Sequence, residues 1–91
     1  MQLLELIRHK LFKKDMRKVS MSDKHYAKFI LYISKLLNGE ELPKEALDHS
    51  LSGEYKDCRE FHISGDLLVI YLIDEQALTL IRIGSHSQLF K

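Results

Sequence analysis

The second half of the chain contains three apolar runs in one stretch, YKDCREFHISGDLLVIYLIDEQALTLIRI (residues 55–83). The middle run is almost continuously apolar, which is typical of a strand that is covered on both faces. Short polar segments at Ser64-Gly65 and Asp74–Gln76 predict turns between the runs. The stretch therefore predicts an antiparallel meander of three strands. Its predicted strands are Tyr55–Ile63, Leu67–Ile73 and Ala77–Ile83.

The chain before this stretch begins with a short apolar segment around residues 3–7, which predicts a strand. A helix is predicted over residues 9–19, because Phe12, Met16 and Val19 follow the spacing of a buried stripe.

A second helix is predicted from Ser20 to about Asn38. Ser20 and Asp23 have the spacing of a capping box, and Gly39 stands where a left-handed residue ends a helix. The residues from 40 to 53 contain the single proline and predict a connecting loop. The predicted core face of the second helix consists of Tyr26, Phe29, Ile30, Ile33 and Leu37.

The composition is that of one globular domain over residues 1–91, with 45% hydrophobic and 30% charged residues. The order of elements predicts an α+β fold, in which an N-terminal strand and a two-helix hairpin pack on an antiparallel sheet. The other face of that sheet is then free to hold a site. The apolar runs are too short to span a bilayer, and the one cysteine, Cys58, cannot form an intrachain disulfide. We therefore expect no membrane partner and a cytoplasmic protein.

The charge is divided between the two halves of the sequence. Residues 1–37 carry nine Lys and Arg against three Asp and Glu, whereas residues 38–91 carry five against ten. The basic half indicates either a surface that faces nucleic acid or an ordinary solvated helix face. The basic residues of the predicted docking surface are Lys10, Lys13, Lys14, Arg17, Lys24 and Lys28.

Three histidines and an aspartate lie at the ends of the predicted sheet segments, where binding sites are commonly built: His49, His62, Asp66 and His86. Each histidine alone is more often a surface or hydrogen-bonded residue. Their spacing fits no zinc motif, so we expect no metal and no cofactor. Cys58 lies within a strand without an activating partner and is interpreted as a packing residue.

Imidazoles, a carboxylate and an arginine are suited to metal-free RNA cleavage. The attacking 2′-hydroxyl needs a base, the departing 5′ oxygen needs an acid, and the transition state needs a cation. Arg82 can hold phosphate oxygens with two hydrogen bonds, although a structural salt bridge is an equally good interpretation of it.

Three patterns occur in one order along the chain: DHxLxG from Asp48, HIxxD from His62 and RxGSHxxLF from Arg82. With them, and with the basic helical hairpin, the sequence resembles the YafQ branch of the RelE toxin superfamily over essentially its whole length. The resemblance implies a RelE-like fold and a ribosome-dependent mRNA endonuclease, the toxin of a type II toxin–antitoxin pair.

The resemblance also implies functional residues and partners. His86 is expected to be the general acid, and Asp66 is expected to supply the base together with His62 or His49. Arg82 is expected to hold the phosphate. Phe90 is expected to stack on a base, or else to anchor the C-terminus in the core. The expected partners are a DinJ-like or other antitoxin, mRNA and the 70S ribosome, with operator DNA only for the toxin–antitoxin complex. The alternative is a nucleic-acid or partner-binding module without catalysis, which uses the basic hairpin. The functional positions that match are His49, His62, Asp66, Arg82, His86 and Phe90.

Overall fold

The structure, a computed structural model, describes residues 3–90, so the ends of the predicted domain, residues 1, 2 and 91, lie outside the described residues. Two short 3-10 turns, Lys44–Ala46 and Gly53–Tyr55, lie in the central connection. None of the described helices is long and apolar enough to cross a membrane. The elements of residues 3–90 are β1 (Glu5–Arg8), α1 (Lys10–Met16), α2 (Asp23–Leu37), β2 (His49–Ser50), β3 (Arg59–Ser64), β4 (Leu67–Ile73), β5 (Ala77–Gly84) and α3 (His86–Leu89).

The strands form one sheet in the order β1-β5-β4-β3-β2. The predicted α+β class and the antiparallel meander of β3, β4 and β5 are confirmed. β1 joins the other side of β5 in parallel, from Glu5 opposite Ala77 to Arg8 opposite Leu80. The first strand of the chain thereby pairs with the last, and the two long helices lie between them in sequence.

The main core lies between α1 and α2 and one face of the sheet. Phe12 of α1 and Tyr32 of α2 are each almost completely buried, and Tyr32 meets Phe61 of β3 edge to face with ring centroids 5.6 Å apart. Phe61, Ile63, Val69 and Tyr71 belong to the same core. Because side chains alternate along a strand, Glu60, His62, Leu68 and Ile70 face the opposite side of the sheet.

The helix boundaries differ from the predicted ones. α1 ends at Met16 rather than at residue 19, and Arg17 caps it. The residue that caps α2 is Ser22, whose hydroxyl accepts a hydrogen bond from the backbone N–H of His25 at 3.1 Å. The predicted capping box at Ser20 and Asp23 was therefore wrong. Two serines stand two residues apart, and only the course of the chain from α1 decides which one lies at the helix start.

The buried stripe of α2 also differs from the predicted core face. Phe29, Tyr32, Ile33 and Leu36 are buried. Tyr26 and Ile30, which were predicted to be in the core, are 50% and 52% exposed. The apolar residues of α2 occupy a wide arc of the helix surface. The sheet covers only part of that arc. An exposed apolar surface remains beside the core.

The central connection is more ordered than a simple loop. It contains β2, which pairs antiparallel with the start of β3. β3 begins at Arg59 rather than at Tyr55, because residues 53–55 form a 3-10 turn. Gly53 begins this turn with a positive φ of 68°, a conformation that favours glycine. The short helix α3 after β5 was not predicted, since four residues are too few to show a helical period.

Candidate active site

On the sheet face that is turned away from the long helices, the strands β2, β3 and β5 carry polar residues in one row, with an apolar residue of β4 between them. His49 lies opposite Glu60, Glu60 opposite Ile70, and Ile70 opposite Arg82. Residues that are directly opposite point to the same side of a sheet. Neighbouring strands lie about 4.8 Å apart, so Glu60 and Arg82 stand about 10 Å apart across an apolar floor.

A shift in register places Arg82 on this face. β4 and β5 pair regularly up to Tyr71 opposite Leu80, but the next pair is Ile70 opposite Arg82, so that Ile81 is an extra residue. Without this bulge, Arg82 would lie opposite Val69 and point into the main core. The bulge therefore turns a charged residue toward the site.

His49, Glu60 and His62 form a compact cluster at one end of the row. One carboxylate oxygen of Glu60, Oε2, lies 3.3 Å from Nε2 of His49 and 3.1 Å from Nε2 of His62. The Glu60 side chain is only 5% exposed, whereas the His49 side chain is 53% exposed. Within residues 3–90, these three form the group whose ligand atoms lie close enough, within 4.8 Å of one another, to hold a metal ion.

The backbone beside the cluster fixes the orientation of His49. Its Nδ1 lies 2.6 Å from the carbonyl oxygen of Leu47, which can only accept, so Nδ1 carries a proton and donates it. Leu47 adopts a left-handed conformation at φ 51°, which costs a non-glycine residue about 1–2 kcal/mol. A strained backbone residue thus directs Nε2 of His49 toward Glu60.

Arg82 is held in place by a residue of α1. Its Nε and one terminal nitrogen donate to the two carboxylate oxygens of Asp15 at 2.7 and 3.0 Å. The same carboxylate accepts the backbone N–H of Ile83 at 3.1 Å, at an edge of β5 that β1 no longer covers. The hydrogen bonds to Asp15, with the influence of the nearby Tyr55, raise the pKa of Arg82 above its ordinary value. Arg82 is therefore permanently charged.

The C-terminal turn carries the remaining predicted residues. In α3 the Ser85 hydroxyl accepts from the backbone of Gln88, and the Gln88 side chain accepts from the backbone of Ser85 at 2.8 Å. This capping box fixes the helix start, where His86 is exposed with its ring centroid 4.8 Å from that of Phe90. Phe90 in turn meets Tyr55 edge to face at 5.8 Å. These aromatic contacts hold the His86 imidazole at the surface.

Asp66 lies in the turn between β3 and β4, and its Oδ1 lies 3.3 Å from the backbone nitrogen of His86. Its observed contact is thus with the backbone of the C-terminal turn. Asp66 was predicted to supply the base together with His62 or His49, but the carboxylate that contacts both of these imidazoles is that of Glu60. Sequence reasoning missed Glu60, although its spacing of two residues from His62 on one strand was a usable signal.

A polar groove of about 650 Å³ joins Asp66 and Arg82 to the helices. Lys18 and His25, neither of which was among the predicted site residues, line it together with Ser85. A polyanion bound in this groove would meet the cationic side chains of Lys18 and Arg82 together.

The predicted docking surface is largely exposed. Lys28 is the exception, since its Nζ lies 3.8 Å from a carboxylate oxygen of Glu45 and its side chain is 31% exposed. Lys13 and Arg17 lie along an apolar groove between α1, α2 and β1. The exposed members are Lys10, Lys13, Lys14, Arg17 and Lys24.

The fold and the site together define a small α+β protein with a histidine-rich polar face. Its sequence matches the family described as "Bacterial toxin of type II toxin-antitoxin system, YafQ" over residues 4–91. The chain therefore belongs to the YafQ toxin family. It is 44% identical over 66 residues to a putative toxin YafQ of Haemophilus influenzae, a match that covers 68% of this chain and 65% of that protein. It is 32% identical over 81 residues to the mRNA interferase toxin YafQ of Escherichia coli strain B, covering 87% of each.

Solved structures agree with this assignment. The fold matches YafQ in the DinJ-YafQ toxin-antitoxin complex of Escherichia coli with a TM-score of 0.84, at 27% identity over 98% of this chain and 99% of that one. It matches a copper-bound mutant toxin from Helicobacter pylori with a TM-score of 0.83, at 37% identity over 97% of this chain and 100% of that one.

Proposed function

We propose that the protein is a ribosome-dependent mRNA endoribonuclease, the toxin of a type II toxin–antitoxin pair, which acts in the cytoplasm and inhibits translation. It cleaves by acid–base catalysis through the RNA 2′-hydroxyl and leaves a 2′,3′-cyclic phosphate and a 5′-hydroxyl. The reaction needs no metal, because imidazole and carboxylate groups supply both proton transfers.

One observation carries this proposal: the buried Glu60 carboxylate lies between the Nε2 atoms of His49 and His62. Nδ1 of His49 donates its proton to the Leu47 carbonyl, so Nε2 of a neutral His49 carries a lone pair. A lone pair that faces a carboxylate oxygen is unfavourable. The contact between Nε2 and Glu60 is therefore favourable only if one extra proton lies between the two atoms. This proton must leave to solvent before the reaction, and the Glu60 carboxylate, which His62 still contacts, can then accept the proton of the 2′-hydroxyl. We assign Glu60, with His49 and His62, to the removal of the 2′-hydroxyl proton.

The acid and the phosphate site lie at the other end of the row. His86 is exposed on the Phe90 ring and is the proposed general acid for the departing 5′ oxygen. Arg82 has its Nε and one terminal nitrogen bound to Asp15, which leaves guanidinium N–H groups for a phosphate. Phe90 then positions a base as well as the His86 ring.

Asp66 takes a supporting role in this proposal. Its contact with the backbone nitrogen of His86 links the β3–β4 turn to α3. This hydrogen bond acts with the capping box and the Phe90 ring to fix the start of α3, which carries the His86 imidazole. Asp66 is therefore a positioning residue for the acid.

Two surfaces fit the two kinds of partner. The exposed lysines of α1 and the start of α2 provide phosphate contacts for the ribosome and its mRNA. The apolar groove beside them exposes Tyr26 and Ile30 and is bordered by Lys13 and Arg17. This pairing of apolar floor and basic rim suits an acidic amphipathic segment of the cognate antitoxin. An antitoxin in the groove would also cover part of the ribosome-binding surface.

The decisive experiment compares cleavage of a translated transcript by the wild-type protein and by His86→Ala, with the ends of the fragments mapped. Wild-type protein should cut in excess chelator, on ribosomes whose own magnesium is controlled, and should leave 5′-hydroxyl ends. His86→Ala should remain folded and lose cleavage. A 5′-phosphate product would refute the mechanism. Binding of ribosomes or RNA by both proteins without any cleavage would instead support the non-catalytic alternative.

A further inference from the structure

The strand that carries His49 is very short. β2 consists of His49 and Ser50, both of which are exposed at the outer edge of the sheet. Its ladder pairs these two residues with Glu60 and Arg59. A slip of one residue would turn His49 to the opposite face of the sheet, away from Glu60. Because both residues of β2 are exposed, burial specifies this register only weakly.

Asp48, which directly precedes β2, makes a further contact on the other face of the sheet. Its Oδ1 accepts a hydrogen bond from the Tyr71 hydroxyl at 2.7 Å and another from Nε of Arg59 at 3.2 Å. Arg59 and Tyr71 lie directly opposite each other on β3 and β4, and Tyr71 is buried in the main core. Both donors therefore lie on the side of the sheet that the long helices cover. Because side chains alternate along a strand, a carboxylate held on that side places the next residue, His49, on the site face.

The same contact supports the strained residue that precedes Asp48. Leu47 has a φ of 51°, and its side chain is 59% exposed, so burial of that side chain offsets little of the strain. The carbonyl oxygen of Leu47 accepts the hydrogen bond from Nδ1 of His49. Asp48 lies between these two residues in the chain, so its anchored carboxylate restrains the position of both.

We propose that Asp48 is a positioning residue for His49, and that Tyr71 and Arg59 act through it. The two hydrogen bonds of Asp48 hold the start of β2, and thereby keep Nδ1 of His49 on the Leu47 carbonyl and Nε2 toward Glu60. The effect on catalysis rests on the proposed function, whereas the placement of the imidazole ring does not.

Placement of the ring is tested on the whole protein, without ribosomes, by nitrogen nuclear magnetic resonance of the neutral imidazoles. The wild-type His49 ring should carry its proton on Nδ1, and in Asp48→Ala the proton should exchange between both ring nitrogens. Tyr71→Phe keeps the Arg59 contact and should cause a smaller change in the same direction. Asp74→Ala is the matched control, since Asp74 also anchors backbone beside a strand, in the turn between β4 and β5, and its loss should leave the His49 signals unchanged.

Circular dichroism confirms which of these variants are folded. His49 signals that are the same in the wild type and in the folded members of the pair Asp48→Ala and Tyr71→Phe would overturn the proposal. A wild-type His49 ring with its proton on Nε2 would overturn it as well.

The effect on catalysis is tested by single-turnover cleavage of a ribosome-bound transcript. Asp48→Ala should slow cleavage at saturating ribosome concentration by at least about tenfold, with the affinity for the ribosome unchanged. Asp48→Ala/His49→Ala should be no slower than His49→Ala, because Asp48 acts through the histidine. Multiplied losses in the double variant would show a general structural effect and would overturn the positioning role. A wild-type protein that cleaves no RNA, while Asp48→Ala still changes the His49 signals, would refute the proposed function and leave the positioning of His49 standing.

Discussion

The carboxylate of Asp15 binds the guanidinium of Arg82 through two hydrogen bonds of 2.7 and 3.0 Å, across 67 positions of the sequence. The same carboxylate accepts the backbone N–H of Ile83 at 3.1 Å. Asp15 thus accepts a hydrogen bond from the edge of β5 beyond the residue at which pairing with the parallel strand β1 ends. It joins α1 to the strand that carries the proposed phosphate ligand.

Replacement of Asp15 should therefore affect both stability and cleavage. Asp15→Ala removes the partner of a charged side chain that is only 22% exposed, and we expect the free energy of unfolding in urea to fall by about 1.5–3 kcal/mol. Asp15→Asn is the matched control, since its amide oxygen can still accept one hydrogen bond, and its free energy of unfolding should fall less. Equal urea midpoints for wild type and Asp15→Ala would contradict this role.

The meander could be predicted from the sequence because its strands are neighbours in the chain and their hydrophobic runs are separated by clear turn residues. The pairing of β1 with β5 could not, since it depends on how the two helices return the chain to the sheet. The bulge at Ile81 is also invisible in the sequence. The bulge explains why Arg82 lies on the same face of the sheet as Glu60. It results from the pairing register of β4 and β5 along their whole length.

The site was only partly predictable for a similar reason. Histidines at segment ends stood out because imidazole is the side chain that most readily exchanges a proton near neutral pH. Glu60 did not stand out, because a glutamate in a charged sequence is ordinarily a surface residue. Its burial beside two imidazoles distinguishes it in the structure.

Tyr71 is predicted to make stability fall at high pH. Its phenol donates to Oδ1 of Asp48 at 2.7 Å, and burial followed by this hydrogen bond raises its pKa above the ordinary value of 10.0. The unfolded chain then loses the proton first, so the contribution of Tyr71 is complete below pH 10 and declines as pH rises further. The difference in unfolding free energy between wild type and Tyr71→Phe should be constant from neutral pH to about pH 9 and shrink at higher pH. A constant difference up to about pH 11 would argue against this hydrogen bond.

Cys58 should be chemically inert at neutral pH. Burial, with the nearby charge of Asp57, raises the pKa of its thiol, so little thiolate is present. Alkylation by iodoacetamide at about pH 7.5 should be slower than that of a free thiol in an unfolded control, and Cys58→Ser should retain cleavage. Rapid alkylation with loss of activity would indicate that Cys58 acts as a nucleophile.

The exposed lysines of α1 should contribute to ribosome binding through interactions with phosphates. We expect Lys10→Glu/Lys14→Glu to weaken co-sedimentation with ribosomes and to lower the log–log salt dependence of binding by about one unit for each phosphate interaction that the substitution removes. Lys44→Glu, a single charge reversal at an exposed position outside the α-helices, is the control and should behave as the wild type. Unchanged binding by the double variant across the salt series would leave these lysines as ordinary surface charge.

Catalysis in the proposed mechanism depends most on Glu60, and its most direct test is single-turnover cleavage of a ribosome-bound transcript by Glu60→Gln. The substitution keeps the size of the side chain but removes the group that takes up a proton. We predict a cleavage rate about 10²–10⁴-fold below that of the wild type, with ribosome binding and circular dichroism unchanged. A folded Glu60→Gln protein that cleaves within about threefold of the wild-type rate, well short of the effect of removing a general base, would contradict this mechanism.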